Sequence, residues 1–586
     1  MMKKWSLKSL YLGFDDPKYS EDLNQLDQLI LEINSQSVDF DNYDQKERKL
    51  VKYLENEMLL EALIDKLYHF ASLTSSVEST NQEANKMVNL LQTKLTQLTK
   101  ISTLFTNWMK DYPNLEEDIA HNDFLKEHQF YLNEVKDHAG HLLSTELEVM
   151  LAKLRQTGSS SWGRLQSLLT STLDVEYDGK IITLSEVRNL ATDKDPEVRK
   201  KAYEAELNAY KKIEDSVAFA LNSIKGEVNT VSKARNFDSP LAEALNKSRM
   251  KSETLEAMQS AVKEYYGIFR KYLQRKAELL GHKNGLPFYD LFAPIGKNDT
   301  SFTIEEANAY ILKNFKTFSN SLHDLAKRAF DEEWVDYTPR KGKRGGAFCA
   351  NMHVIKESRV MTNFTGSFSD MITLSHELGH AYHGEAIFKE SVLNSSYTMP
   401  VAETASTFCE TIVNNAAIKD VTTKEEKIFL LESSLQDYTQ VVVDIMSRFI
   451  FEKSVFEGRE KTVFDAKELK ELMLDAQKQT YGDGLDENLL HPYMWICKPH
   501  YYSGGLSYYN FPYTYGLLFA KGLYAKYLED KEAFVKIYDD LLAATGQMQV
   551  EEVAALAGID VTKKEFWVSS LELLKKDIEL FLELTE

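Results

Sequence analysis

The sequence has few of the residues that break helices or cross-link a chain. Its 586 residues include 25 glycines, 11 prolines and 3 cysteines. The scarcity of glycine and proline, beside long stretches rich in Leu, Glu, Lys and Ala, predicts a mostly α protein. The cysteines, Cys349, Cys409 and Cys497, form no C-x-x-C pair. Such usage excludes a disulfide framework or a cysteine-based metal knot and fits a reducing cytoplasm.

Excess positive charge and long apolar runs are also lacking. The formal net charge is -21, which argues against a general nucleic-acid binder because such proteins hold phosphates with clustered Lys and Arg. The start of the chain is basic but lacks an apolar run of signal-peptide length. No segment supplies the roughly 18 consecutive apolar residues of a membrane span. We therefore expect a cytoplasmic protein without nucleic-acid or membrane partners.

The length predicts more than one hydrophobic core, since single cores stop growing near about 250 to 300 residues. Helical periodicity over residues 44–110 predicts an N-terminal helical lobe, 1–110, with a coiled coil as the weaker alternative. Asp178-Gly179 joins two short strand-like runs, so residues 111–195 are predicted to be helical with a small hairpin. Asp195-Pro196 then begins a helical body that continues over residues 196–586.

A small sheet is predicted within that helical body. Residues 341–364 contain glycines followed by a β-branched stretch, which is typical of strands. Residues 359–364 fit either an edge strand that pairs with an extended peptide or the core of the sheet.

The segment SFSDMITLSHELGH, residues 367–380, carries an H-E-x-x-H motif behind a Ser-x-x-Asp helix start. On a helix, His376 and His380 lie one turn apart on one face, so both imidazoles can bind one cation. Glu377 lies a step around the helix, where it can act on a bound water. With 13 histidines and 90 acidic residues in the chain, chance produces such a motif roughly 0.04 times. A surface helix with two histidines is the alternative.

Zinc suits this arrangement because it accepts neutral imidazoles and tolerates an open coordination position. The metzincin extension of the motif is excluded, since His383 stands where that motif needs Gly and Ala386 where it needs His. Glu403, near the start of a helix predicted from Pro400, can complete a site of two histidines and one carboxylate. We therefore predict one Zn²⁺ held by the two motif histidines and this glutamate.

Three further candidates surround the predicted metal site. Glu410, seven residues after Glu403, fits an orienting partner for a metal-bound imidazole or an exposed solvated side chain. His383 is left outside the metal shell. In residues 491–516, nine of 26 residues are aromatic, which fits either core packing or a group of hydrogen-bond donors to an oxyanion.

Three segments together resemble the M3 family of metallopeptidases and its oligoendopeptidase F group. They are TLSHELGHAYH, VAETASTFCE and PHYYSGGLSYYNFPYTYG. The resemblance implies a mostly helical zincin-type peptidase with a deep substrate channel and a small β element near the active site. Residues 111–195 would then be an oligopeptidase F N-terminal-like segment and residues 196–586 the M3-like catalytic domain.

The resemblance also implies the catalytic residues and the substrates. Glu377 would be the general base, and His500, Tyr509 and Tyr513 would stabilise the transition state, with Tyr508 as a competing choice. The expected function is a zinc-dependent endopeptidase that cleaves short oligopeptides. A carboxypeptidase or dipeptidyl carboxypeptidase on the same scaffold is the nearest alternative, and a non-catalytic peptide-binding protein is a weaker one.

Overall fold

The computed structural model describes residues 3–296 and 300–586, and helices account for most of them. The N-terminal helices are α1 Pro17–Ser35, α2 Lys46–Val77, α3 Gln82–Leu95, α4 Thr99–Lys110, α5 Leu115–His121, α6 Asp123–Glu127, α7 Gln129–Gly140, α8 Thr145–Thr157 and α9 Ser159–Ser171. The middle helices are α10 Leu184–Asn189, α11 Pro196–Tyr210, α12 Glu214–Ala234, α13 Pro240–Lys247, α14 Ser252–Leu279, α15 Ile304–Phe318 and α16 Asn320–Asp331. The C-terminal helices are α17 Phe368–Ile387, α18 Met399–Ala402, α19 Thr404–Asp420, α20 Lys424–Thr439, α21 Ile445–Arg459, α22 Ala466–Tyr481, α23 Phe511–Glu529, α24 Lys531–Ala544, α25 Val550–Leu556 and α26 Lys564–Thr585. The predicted mostly α class is confirmed.

The strands form two small sheets. The hairpin pairs β1, Val175–Tyr177, with β2, Lys180–Ile182. Asp178 and Gly179 both have positive φ, +49° and +74°, as a tight two-residue hairpin turn requires. The second sheet contains β3 Val335–Asp336, β4 Phe348–Met352 and β5 Glu357–Met361 in the order β3-β5-β4. Both predicted β regions are therefore present.

In the three-stranded sheet, β5 is central. It pairs in parallel with β3 and antiparallel with β4, and Val360 and Met361 are fully buried. The prediction that residues 359–364 form an edge strand is therefore wrong, and the alternative, sheet core, is correct. The edge strands are β3 and β4. Besides the pairing to β5, the Cys349 amide of β4 donates a hydrogen bond to the Glu377 carboxylate.

Two hydrophobic cores meet at this sheet. One gathers buried side chains between Trp5 and Leu132 together with Met352 and Met361 of the sheet. The other, much larger, gathers buried side chains between Leu173 and Phe581, including Val360. The sheet thus lies between the N-terminal helices and the rest of the chain, and α17 packs against β4 and β5.

None of the described helices combines the length and apolar character needed to cross a lipid bilayer.

Candidate metal centre

The H-E-x-x-H motif lies in the middle of α17. The Ser367 hydroxyl accepts a hydrogen bond from the Asp370 amide, and the Asp370 carboxylate accepts one from the Ser367 amide, which forms a capping box. This reciprocal pairing satisfies amide groups that have no partner within the helix. The helix predicted from the Ser-x-x-Asp start is confirmed, and it carries His376 and His380 one turn apart.

His376, His380 and Glu403 meet at one point. One donor atom from each side chain lies within 4.8 Å of the other two. The Glu403 Oε2 atom lies 3.3 Å from His376 Nε2 and 3.5 Å from His380 Nε2. Nε2 of both histidines therefore faces the same carboxylate oxygen, an arrangement of donors that can hold one metal ion.

Glu403 stands at the junction of two helices. The sequence predicted one helix from Pro400, but α18 ends at Ala402 and α19 begins at Thr404. Glu403 between them has φ -88° and ψ 6°, which is outside the α-helical region. The Ser406 hydroxyl donates a hydrogen bond of 2.7 Å to Glu403 Oε2. The break and this bond together aim the carboxylate at the two histidines.

Gly379 allows α17 to approach α19 closely. A Cβ atom at Gly379 would lie 2.5 Å from the Cα atom of Ser406 and 2.6 Å from the carbonyl oxygen of Ala405. Backbone atoms cannot yield to such a contact, so any side chain at this position would push the helices apart. The short distance between the histidines and Glu403 therefore depends on this glycine.

The electrostatics of the cluster favour a positive charge at its centre. Burial lowers the pKa of His376, but hydrogen bonds to Glu403 and Glu410 outweigh burial and raise this pKa to about 10. Burial and the charge of His376 lower the pKa of His380 to about 4. For Glu403, burial is outweighed by His376 and His380, and the pKa falls to about 2. The carboxylates thus stabilise one cation between them.

Glu377 is next to this cluster and almost inaccessible, with 6% of its surface exposed. Burial raises its pKa to about 7, although the charge of His376 acts in the opposite direction. A carboxyl group with such a pKa can accept and return a proton near neutral pH.

Glu410 contacts the far side of one imidazole. Its Oε2 atom lies 3.3 Å from His376 Nδ1, while His376 Nε2 faces Glu403. A carboxylate in this position fixes the tautomer and the ring orientation of a metal-binding histidine. This contact favours the orienting role for Glu410 over the exposed, solvated alternative.

Tyr513 brings the C-terminal aromatic segment into the site. It lines a cavity of about 360 Å³ together with His376 and Glu403. Its hydroxyl donates a hydrogen bond of 2.9 Å to the Tyr509 hydroxyl. The Tyr509 ring packs edge-on against His500, with ring centroids 4.8 Å apart. The three predicted donors therefore form a continuous row that begins at the metal cluster.

Tyr508, the competing choice, points elsewhere. Its ring packs between Phe449 and Phe456, with centroid distances of 5.2 and 5.4 Å, and only 4% of the residue is exposed. The backbone turns at Tyr508, which has a positive φ of 53°. Tyr508 therefore faces the core, whereas Tyr509 faces His500. Tyr508 belongs to the hydrophobic core.

Comparison with known proteins agrees with this geometry. Residues 189–573 match the model of peptidase family M3, and residues 111–174 match the model described as Oligopeptidase F. The chain belongs to peptidase family M3.

Relatives with known names include proteins named oligopeptidase and oligoendopeptidase F. Group B oligopeptidase PepB of Streptococcus agalactiae is 23% identical over 89% of this chain and 87% of the relative. The oligoendopeptidase F homolog of Borreliella burgdorferi is 24% identical over 98% of this chain and 97% of the relative. The solved structure of oligoendopeptidase-F from Enterococcus faecium has a TM-score of 0.70 at 19% identity and covers 96% of this chain and 99% of that one. The chain is thus a mostly α peptidase with the fold of that structure.

Some residues around the M3 site escaped the sequence analysis. Ser406 follows Glu403 by three residues, a spacing that could have suggested its hydrogen bond. Residues Gln440–Asp444 form a π-helical turn between α20 and α21, and Gln440 and Val441 line the same cavity as His376. Nothing in the local sequence distinguishes this turn from the α-helices on either side, although such turns are frequent at functional sites.

His383 lies outside the cluster. It is fully buried and stacks on Tyr397, and its Nε2 atom lies 2.7 Å from the Thr545 hydroxyl. It packs α17 against its neighbours.

Proposed function

We propose that this member of family M3 is a zinc-dependent endopeptidase of short oligopeptides, with one Zn²⁺ held by His376, His380 and Glu403. The observation that carries the proposal is the convergence of two imidazoles and one carboxylate within 4.8 Å. Two neutral nitrogens and one anionic oxygen match the donors that catalytic zinc prefers, and three protein ligands leave a position for water. The site also stabilises a positive charge, as the raised pKa of His376 indicates.

A metal held by His376, His380 and Glu403 would supply Lewis-acid polarisation and would lower the pKa of a water beside it from about 15.7 towards about 7. Glu377 accepts the proton of the attacking water and returns it to the departing amine. Its burial supports this role, since a carboxylate shielded from solvent is more basic than an exposed one. Such a general base contributes roughly 10²- to 10⁴-fold to a rate.

Tyr513 donates a hydrogen bond to the oxyanion that forms when water adds to the peptide carbonyl, for which its hydroxyl proton turns from the Tyr509 oxygen to the oxyanion. Tyr509 holds Tyr513 in place, and His500 supports Tyr509. Burial, followed by the hydrogen bond to Tyr509, raises the pKa of Tyr513, so its hydroxyl keeps its proton and can donate it. Burial and the charges of Arg448 and Lys498 lower the pKa of His500, which favours a neutral ring.

The position of β4 at the edge of the sheet supports binding of an extended substrate. Asn351 of this strand donates a hydrogen bond of 3.1 Å to the carbonyl oxygen of His380, so the strand runs beside the motif helix. A strand at the edge of a sheet can pair with the main chain of a peptide, and such pairing reads little of the peptide's sequence. Backbone recognition of this kind suits short, unfolded peptides of varied sequence.

The test is digestion of a peptide library by the purified protein, read by mass spectrometry with and without a chelator. We expect internal cleavage of short peptides, loss of activity with the chelator and recovery on addition of Zn²⁺. Cleavage that persists after complete removal of metal would contradict the proposed mechanism, and failure to cleave any peptide with Zn²⁺ bound would favour a non-catalytic peptide-binding protein.

A further inference from the structure

A second cavity adjoins the candidate metal centre. It measures about 360 Å³, within the usual range for ligand pockets. Gln440 lines both this cavity and the one that contains His376. The two cavities are thus neighbours separated by the π-helical turn Gln440–Asp444.

A hydrogen bond attaches this turn to the helix that carries Tyr513. The Thr514 hydroxyl, one residue after Tyr513, donates a hydrogen bond of 2.7 Å to the carbonyl oxygen of Val441. On the other side, Asp444 at the end of the turn lines the second cavity. Lys498, which also lines that cavity, precedes His500 by two residues. A ligand that spans both cavities would therefore pass the proposed oxyanion donor.

Among the described residues that line the second cavity, one cation has no counterion. Arg188 is paired with Glu206 at 2.6 Å, and Arg199 with Asp290 at 2.7 Å. Among the described residues, the Lys498 ammonium has no hydrogen-bond or ion-pair partner. Burial and the nearby positive charge of Arg448 lower its pKa. A desolvated ammonium of this kind gains stability when an anion binds to it.

The carboxylates near Lys498 are already engaged. Asp444 forms an ion pair with Arg448 and accepts a hydrogen bond of 3.1 Å from the Tyr481 hydroxyl. Glu206 accepts hydrogen bonds from Arg188 and from Tyr210. The positive charge of Lys498 is therefore not neutralised by these carboxylates. A ligand with a single negative charge would neutralise it.

The remaining wall of the cavity is largely apolar. Its apolar side chains include Val187, Ala202, Phe288, Phe292 and Met494. An apolar wall beside one cation matches a single amino-acid residue that carries both a side chain and a free carboxylate.

We propose that the second cavity holds the C-terminal residue of the peptide substrate, with its α-carboxylate on Lys498 and its side chain against the apolar wall. This inference rests on the proposed peptidase function and specifies its substrates as peptides with a free C-terminus. The carboxylate then fixes the distance between the end of the peptide and the bond that is cut. The internal peptide bond that is cut therefore lies a fixed number of residues before the C-terminus.

The first test compares one peptide with its C-terminally amidated twin. We expect the wild-type protein to cleave the free acid with a kcat/KM higher by roughly 10- to 100-fold, the range of one charge-assisted hydrogen bond. In Lys498→Met this ratio falls towards one. In the matched control Lys453→Met, an exposed lysine on α21 whose nearest carboxylate is 3.8 Å away, the wild-type ratio is retained.

Equal rates for acid and amide in the wild-type protein would overturn the inference while leaving the peptidase function intact, whereas cleavage of neither would remove both. The comparison in the wild-type protein needs no variant, so it stands even if Lys498→Met folds poorly. Retention of the full ratio in folded Lys498→Met would also overturn the inference.

The second test uses a series of peptides of uniform sequence, extended one residue at a time at either end. We expect the length of the C-terminal product to stay constant through the series. A C-terminal product that lengthens with each residue added at that end would show that the cut is not measured from the carboxylate. A preference for an internal acidic residue, unchanged by amidation, would assign Lys498 to a side-chain subsite and overturn the inference as well.

Discussion

The hydroxyl of Tyr513 donates a hydrogen bond of 2.9 Å to the hydroxyl of Tyr509. Tyr509 lies two residues before α23, Tyr513 lies in its first turn, and of the two only Tyr513 shares a cavity with His376. The hydrogen bond couples the tyrosine beside the metal cluster to the one beside His500.

The two tyrosines lead to the first prediction. We expect Tyr513→Phe to lower kcat by roughly 10²- to 10³-fold with little change in KM, as expected for loss of a donor to the oxyanion. Tyr509→Phe should lower kcat less, because it holds Tyr513 in place. Tyr508→Phe is the matched control, since Tyr508 packs in the core, and should keep wild-type kcat. Steady-state kinetics on a fluorogenic peptide measures all three, and an unchanged kcat in Tyr513→Phe would exclude its proposed role.

Glu377→Gln is expected to separate metal binding from catalysis. The amide keeps the size of the carboxylate but cannot accept the proton of the attacking water, so kcat should fall by roughly 10²- to 10⁴-fold. The metal ligands are unchanged, so elemental analysis should still find one zinc ion per chain. Full turnover in this variant would rule out Glu377 as the base, and loss of zinc would assign it a role in metal binding.

Glu410→Gln is expected to weaken metal binding without removing a ligand. Loss of the carboxylate next to His376 Nδ1 frees the imidazole to rotate, and changes of this kind cost roughly 10- to 100-fold in metal affinity. Titration with a competing zinc chelator measures the effect. The control is Glu385→Gln on α17, whose carboxylate contacts Arg328 at 3.4 Å and should leave affinity unchanged. Equal affinity in both variants would argue for a merely solvated Glu410.

The N-terminal helices should show a pH-dependent stability due to Glu57 on α2. Burial raises its pKa from 4.5 to about 7, with Glu61 acting in the same direction and a hydrogen bond from Tyr131 against it. The folded chain therefore holds this proton more tightly than the unfolded chain. The resulting stabilisation is complete below about pH 4.5 and is lost as the pH rises through about 7.

Thermal unfolding between about pH 5 and 8 measures this effect. As the pH rises, the Tm of the wild-type protein should fall relative to the Tm of Glu57→Gln, because only the wild-type protein has a carboxyl group at this position that ionises. Glu55→Gln, an exposed neighbour on the same helix, should follow the wild-type curve. Parallel curves for the wild-type protein and Glu57→Gln would contradict the assignment.

The local signals in the sequence predicted much of the fold. Asp178-Gly179, Asp195-Pro196 and Ser367 each mark a turn or a helix start by side-chain chemistry that acts within a few residues, and the structure has each element there. The central position of β5 was not predictable in this way, because strand order depends on contacts between distant segments. The three-part division at residues 110 and 195 and the cytoplasmic location stay predictions.

The candidate site shows the same limit. The spacing of His376 and His380 follows from helix geometry alone, so their convergence was predictable. The break at Glu403 and the π-helical turn at Gln440–Asp444 depend on how α17, α19 and α23 pack together, which no short segment encodes. Lys498, which has no ion-pair partner in the described part of the chain, could be recognised only once the partners of Arg188 and Arg199 were known.

The contact at Gly379 makes the metal centre sensitive to a residue that binds nothing. A methyl group at Gly379 would collide with the main chain at Ser406. Gly379→Ala would therefore increase the distance between α17 and α19 and move the two imidazoles away from Glu403. The distances between the ligand atoms therefore depend on a position that must remain without a side chain.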